Sequence, residues 1–297
     1  MHTVIKQNLF ESKRSWLQNY KWLILRRLSQ ITIFSLFMLG PWFDIWIIKG
    51  NLSSSLTLDV LPLTDPFIAI QSLFAGQSLT TVALTGVLII SLFYILVGGR
   101  VYCSWVCPIN ISTDCASWLR KKFNIKSSSL FPRNTRYWLL AMTFIMALIT
   151  GTLSWELINP VTLVQRGIIS GLWISVAIML MIFLFDLLIS RDAWCGHICP
   201  VGAFYSLFGR IGLVRVSAYH RDNCNDCMDC FVVCPEEQVI KSALRGAKNN
   251  ISPVILEINC TNCGRCIDVC DKNVFKFTHR FNHSTTSFNF LNQEPPQ

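Results

Sequence analysis

The chain has 297 residues, 52% of them hydrophobic and only 14% charged, with a net charge of +9 and thirteen cysteines. Ordinary domains carry about 25% charged residues, so the composition argues against a single water-soluble globule. A disulfide scaffold would be short and secreted, and this chain is too long and too apolar for one.

In chain order, four runs approach the roughly 20 apolar residues that a bilayer-spanning helix needs. They are Ser29 to Ile48, Gln77 to Val97, Tyr137 to Leu157 and Gly167 to Ser190. Pro41 is expected to bend the first, and Asp44, Glu156 and Asp186 lie at span borders. Ionisable groups at such positions are functional candidates. Lys and Arg alternate between connections. Six lie in the N-terminal segment, one in 49–76, seven in 98–136 and one in the third connection. The positive-inside rule then places both termini and the second connection in the cytoplasm. The positive charge reads as topology and attraction to anionic lipid. No nucleic-acid motif accompanies it, and no cleavable signal peptide is expected.

The membrane part reads as a duplication. In each half a span leads to "LTDPFIAIQSLFAG" or "LINPVTLVQRGIISG", then to a second span, then to "CSWVCPIN" or "CGHICPVG". Asp65-Pro66 matches Asn159-Pro160. Cys103 and Cys107 match Cys195 and Cys199. Both halves cross in the same sense, which suggests a twofold axis along the membrane normal. The stretches after each pair, "STDCASWLRKKF" and "AFYSLFGRIGLV", are expected as helices at the cytoplasmic interface. Residues i and i+4 share a helix face, so each cysteine pair can point together. Four such thiolates are enough for one further iron–sulfur or soft-metal site. A redox-active dithiol, a docking surface and plain apolar packing remain open for them. Cys115 has no counterpart in the second half.

The strongest chemical signal is "CNDCMDCFVVCPE", with Cys224, Cys227, Cys230 and Cys234, followed by "CTNCGRCIDVC", with Cys260, Cys263, Cys266 and Cys270. The first matches the C-x2-C-x2-C-x3-C-P run of bacterial ferredoxins, whose fourth cysteine ligates the other cluster of a pair. One [4Fe–4S] cluster is therefore assigned to Cys224, Cys227, Cys230 and Cys270. The second is assigned to Cys260, Cys263, Cys266 and Cys234. Zinc prefers C-x2-C pairs with four ligands in all and fits two such runs poorly. No histidine lies within a span, and no C-x-x-C-H, G-x-G-x-x-G or P-loop occurs, so haem, nucleotide and flavin sites of those kinds are unsupported.

With four spans, two C-x3-C-P motifs and a double-cluster tail, the chain resembles the NapH family of membrane ferredoxin-type subunits. The wording that carries the resemblance includes "LRRLSQ", "PLTDP", "WCGHICPVGA" and "CMDCFVVCPE". The resemblance implies a quinol dehydrogenase subunit of the bacterial inner membrane that oxidises quinol only together with a periplasmic iron–sulfur protein of NapG type. Electrons would then move towards a periplasmic nitrate reductase through a membrane-anchored c-type cytochrome. The alternative is a donor of electrons for maturation of a metalloprotein.

The expected fold is an α-helical integral membrane protein with four transmembrane helices in two pseudo-repeats and a C-terminal ferredoxin-like domain holding two [4Fe–4S] clusters. Its expected divisions are a cytoplasmic segment (1–28), the membrane domain (29–218), the ferredoxin-type domain (219–281) and a disordered tail (282–297).

Overall fold

The computed structural model describes residues 16–125, 132–171, 173–249 and 251–282. The first fifteen residues, Lys126 and the tail expected to be disordered beyond residue 282 lie outside them.

A single turn, α1 (Trp16–Asn19), leads into α2 (Lys21–Phe43). Among the described residues α2 is the one helix long and apolar enough to cross a membrane by itself. It stops five residues short of the expected end at Ile48. Asp44 turns left-handed (φ 58°) and returns its N–H to Gly40 O. Trp46 then folds over Gly40, where a Cβ would come 2.6 Å from the indole. Pro41 lies inside the final turn of the helix. The chain continues as β1 (Ile48–Gly50), β2 (Ser54–Thr57) and β3 (Leu61–Thr64), an antiparallel sheet in that order. These strands are too short for a two-residue alternation to show in the sequence.

From Asp65 and Asn159 onward the two halves follow the same order of elements. Asp65 caps α3 (Pro66–Phe74), accepting from Phe67 N at 2.9 Å. After α4 (Thr81–Val97) comes a π-turn, Tyr102–Val106, and then α5 (Ile109–Lys122). In the second half α6 (Thr135–Thr150) and α7 (Ser154–Ile158) precede Asn159, which caps α8 (Pro160–Ile169) through Val161 N at 3.1 Å. Next come α9 (Ile174–Leu188), a second π-turn, Trp194–Ile198, and α10 (Pro200–Phe208). Proline at the first helical position suits the short helices α3, α8 and α10, because the N–H it lacks has no helical partner there.

Helices α4, α6 and α9 have 17, 16 and 15 residues, or about 22–26 Å at the α-helical rise. The expected spans overran them because flanking apolar residues belong to α7, α8 and the turns. Gly151, left-handed at φ 64°, ends α6 before the run of apolar residues does. Stripes at helical spacing stay exposed: Leu84, Leu88 and Leu92 on α4, and Val176, Leu180 and Leu184 on α9. The core between the halves holds Phe67, Tyr94, Tyr102, Trp155, Phe204 and Tyr205. One expectation is corrected here: α10 is not a surface helix. Residues Pro200 to Ser206 are all buried, since the aromatic side chains that suggested an interface fill the core.

The C-terminal unit takes β4 (Val214–Ser217) from ahead of residue 219 and pairs it antiparallel with β5 (Lys276–His279). Three short helices, α11 (Asp229–Val233), α12 (Gln238–Arg245) and α13 (Arg265–Val269), pack on this ribbon. The unit sits on the start of α2, where Asp268 accepts from Trp22 N (3.2 Å) and Leu23 N (3.0 Å). A carboxylate from the tail thus caps a helix far away in sequence and meets its positive end. Gly264 is left-handed (φ 74°), and a Cβ there would lie 2.6 Å from Trp22. Gly264→Ala should therefore cost about 1–2 kcal/mol for the backbone alone, plus displacement of Trp22. Faster proteolysis near residue 22 is the readout, and an unchanged cleavage rate would refute the packing role.

Candidate metal centres

The two cysteine runs build the same loop twice. Asp226 and Met228 are left-handed in the first, and Asn262 and Gly264 in the second. The left-handed residues at 228 and 264 immediately precede α11 and α13. This curl turns three successive cysteines inward around one point. The fourth of each run follows its helix, in extended backbone, and reaches the opposite loop.

Cys224, Cys227, Cys230 and Cys270 line one cavity, and Cys234, Cys260, Cys263 and Cys266 line a second. A third, between the two halves of the helical bundle, is lined by Cys103, Cys107, Cys195 and Cys199. Cys115 is exposed and lies apart from all three. Burial, then the neighbouring Cys270, Cys224 and Cys227, push the Cys230 thiol up to about 11. Burial likewise lifts Cys260 to about 11. Four buried thiolates cannot share a cavity unless a cation compensates them, and the irons of a cubane supply that charge. The cysteines form two interleaved three-plus-one sets with the spacing of ferredoxin runs, not the C-x2-C pairs of zinc sites. The donor sets fit iron–sulfur clusters.

The second cavity lies against the first π-turn. Ser104 Oγ donates to Thr261 O (2.8 Å) and Trp105 Nε1 to Asn262 O (3.1 Å). Asn262 Nδ2 returns a bond to Val97 O (3.1 Å). The first cavity faces away, with Cys227 exposed. The three sets therefore follow one another from the bundle interior, through the docked loop, to the protein surface.

A buried ion cluster ties this junction together. Glu236, two residues after Cys234, is bonded by Arg100 Nη1 (2.6 Å), Arg136 Nη1 (2.7 Å) and Arg133. Arg100 and Glu236 are each 2% exposed and Arg136 is fully buried. Burial alone would raise the Glu236 carboxyl, but Arg100 and Arg136 more than offset it and hold it at about 2. A second hub joins Asp114 of α5 to Arg26, Arg27 and Arg265. By sequence, Arg26, Arg27, Arg100, Arg133 and Arg136 counted only towards topology, and Asp114, Glu236 and Arg265 had no assigned role. Their one visible sign is a charge abutting each motif: the arginine that closes "VGGR" and the glutamate of "VVCPE".

The border carboxylates have separate fates. Asp44 is exposed and accepts from Trp46 Nε1 (2.7 Å). Glu156 is bound by Thr162 Oγ1 (2.8 Å) and Ser53 Oγ. Asp186, fully buried, accepts from Trp194 N (2.9 Å) and anchors the start of the second π-turn. Asp65, on the wall of the third cavity, also accepts from Tyr205 OH (2.9 Å).

A helical bundle carrying a two-cluster module defines an iron–sulfur electron-transfer protein of ferredoxin type. The family comparisons agree. A 4Fe-4S binding domain model matches twice, at residues 79–126 and 172–217, and a 4Fe-4S dicluster domain model matches residues 223–274. The chain is 46% identical to the ferredoxin-type protein NapH of Escherichia coli, over 93% of this chain and 95% of that protein. NapH of Haemophilus influenzae is also 46% identical, over 92% and 96%. The methylamine utilization ferredoxin-type protein MauN of Paracoccus denitrificans is 50% identical, over 94% and 97%. No solved structure matches. The chain belongs to the family of ferredoxin-type proteins that contains NapH and MauN.

Proposed function

We propose that the protein is the membrane electron-transfer subunit of a quinol dehydrogenase. The observation that carries this reading is the succession of cysteine sets from the bundle interior to an exposed edge at Cys227. In this reading Cys224, Cys227, Cys230 and Cys270 hold one [4Fe–4S] cluster, and Cys234, Cys260, Cys263 and Cys266 hold the other. When bound, the clusters supply one-electron carriers. The protein's own residues position them, exclude water and, at Glu236, Arg100 and Arg136, lock the ferredoxin domain to the bundle.

The membrane assignment rests on the exposed apolar stripes of α4 and α9 and on the length of α2. Soluble monomers rarely expose contiguous apolar patches of that extent. We place α2, α4, α6 and α9 across the bacterial inner membrane, with both termini and the ferredoxin domain in the cytoplasm, from the Lys and Arg alternation. The short helices α3 and α8, whose caps lie beside the third cavity, suit segments that enter a bilayer only where protein covers them. Membrane lipid and quinol are then the immediate partners. A periplasmic iron–sulfur protein of NapG type and a membrane-anchored c-type cytochrome complete the route to a periplasmic nitrate reductase.

A second reading has its own support. The MauN relatives, named for methylamine utilization, match this chain at 49–50% identity, at least as well as NapH does. The same electron supply would then serve maturation of a different metalloprotein. One experiment separates the two. The chain, purified anaerobically together with its periplasmic iron–sulfur partner of NapG type and with all clusters oxidised, is mixed with a short-chain menaquinol or ubiquinol and followed by visible absorption. Bleaching within seconds is the expected result. No bleaching by either quinol, with full bleaching by dithionite, would reject the quinol reading in favour of maturation.

A further inference from the structure

The two C-x3-C-P motifs lie 92 positions apart in the chain (Cys103 to Cys195), yet their four thiols line one cavity. Each pair sits on a π-turn, not on the α-helical face that the four-residue spacing suggests. Cys107 N bonds to Tyr102 O (3.0 Å) and Cys199 N to Trp194 O (2.9 Å), both five residues back. The wider turn carries the second cysteine of each pair into extended backbone, and the proline after it caps α5 (Pro108) or starts α10 (Pro200). Such single π-turns cluster at functional sites.

The pairs meet across the seam between the halves. A Cβ on Gly202 would lie 3.5 Å from Cys195 O and 3.8 Å from Cys103 Sγ. Cys107 has Cys103 and Cys199 as electrostatic neighbours, and Cys195 has Cys199, Cys107 and Cys103. The cavity between them measures about 30 Å³, against about 20 Å³ for each of the two ferredoxin cavities. In donor set it is of the same kind.

Packing alone does not account for the surroundings. Arg100 is 2% exposed. Its Nη1 bonds to Glu236 Oε1 (2.6 Å) and Asn259 O (3.0 Å), beside Cys234 and Cys260. Its Nη2 bonds to Cys195 O (3.3 Å), and its positive charge acts on the neighbouring Cys103. One buried cation thus touches both this cavity and the frame of the second ferredoxin cavity. Glu236 supplies one negative charge to the two buried guanidiniums of Arg100 and Arg136, which leaves one buried positive charge that thiolates in this cavity would compensate.

We infer that Cys103, Cys107, Cys195 and Cys199 together hold a third [4Fe–4S] cluster, two ligands from each half, and that Arg100 bridges it electrostatically to the cluster of Cys234, Cys260, Cys263 and Cys266. The inference deepens the proposed function, since it supplies the first electron acceptor inside the bundle. One electron enters this centre from the donor and one leaves to the next cluster, and no bond is made or broken there. Hydrogen bonds and positive charge at cluster sulfur raise a reduction potential, so Arg100 is a positioning residue that tunes this centre.

The test uses the full chain, purified anaerobically, with total metal analysis and low-temperature paramagnetic resonance of the dithionite-reduced protein. About twelve irons per chain are expected for three cubanes. Cys103→Ser and Cys195→Ser should each lose about four, and the double variant the same four and no more. A double variant that loses twice the single amount would mean one group per half and would overturn the shared site. Eight irons in the wild type, unchanged in the variants, would overturn the centre itself, as would one zinc. Arg100→Gln should lower the potential of the centre more than Arg136→Gln does. Arg136 makes the same bond to Glu236 but meets the π-turn at Gly196 O, so it controls for loss of the junction. Equal shifts in the two variants would reject the bridge. All these readouts are independent of quinol, so a chain that ignores quinol yet holds the third centre refutes only the proposed function.

Discussion

Replacing Glu236 with Leu is expected to release the ferredoxin domain from the bundle. Two arginines, both buried, converge on one carboxylate that is buried too. Removing one partner of a buried pair leaves the other charge without compensation, at a cost of about 3–5 kcal/mol. Here two guanidiniums are stranded, so the upper end of that range applies. Arg100 also braces Asn259 O, and Arg136 braces Asn259 Oδ1 (2.7 Å). The loop that opens the second cysteine run should loosen with them. Limited proteolysis between residues 209 and 223 would show the loss. Glu236→Gln keeps acceptor geometry without the charge and should fall between wild type and Leu. If the Leu variant resists protease as well as wild type does, the ion cluster does not hold the junction.

Replacing Cys227 with Ala is expected to strip the outer cluster while leaving the rest of the protein assembled. Cys227 is exposed, so its side chain contributes little packing, and any loss of iron reports ligation. About four irons should go. The cluster helps to fold its own loops, so Cys224 and Cys230 should become reactive to thiol reagents. The cluster of Cys260, Cys263 and Cys266 should persist, because its loop is braced by Ser104 and Trp105 from the bundle. Electrons would then enter the protein but not leave at the exposed edge. A variant with its full iron content would refute this ligand assignment.

The contrast between these two substitutions explains what could be read from residue order. The cysteine runs were legible because cluster ligation is a local demand. Three cysteines two residues apart, with left-handed turns at 228 and 264, specify a loop whatever surrounds it. The exchange of Cys234 and Cys270 between loops follows from the same spacing, since each ends a short helix that leads away. The duplication was legible for a similar reason. Asp65-Pro66 and Asn159-Pro160 are each a cap and a first helical turn, and a cap is written in two adjacent residues.

Other features had no local sign. The apolar runs located α2, α4, α6 and α9 but not their ends, because hydropathy does not register a left-handed Asp44 or Gly151. The strands β1 to β3 were too short to produce a pattern. Aromatic content suggested a surface role for α10, whereas Phe204 and Tyr205 fill the centre of the bundle.

By itself, then, the sequence determined the chemistry: thiolate sets for iron–sulfur clusters, an apolar helical body and a repeated unit. Each of these is a statement about residues close together in the chain, where covalent geometry limits the choices. Only the tertiary structure decided what those units do to one another. Packing of the two halves set Cys103 and Cys107 against Cys195 and Cys199, and docking of the tail set Glu236 between Arg100 and Arg136. Such meetings depend on the complementary shapes of surfaces far apart in sequence. The low-dielectric interior then gives them their force, since a charge buried there requires a partner that no neighbouring residue supplies.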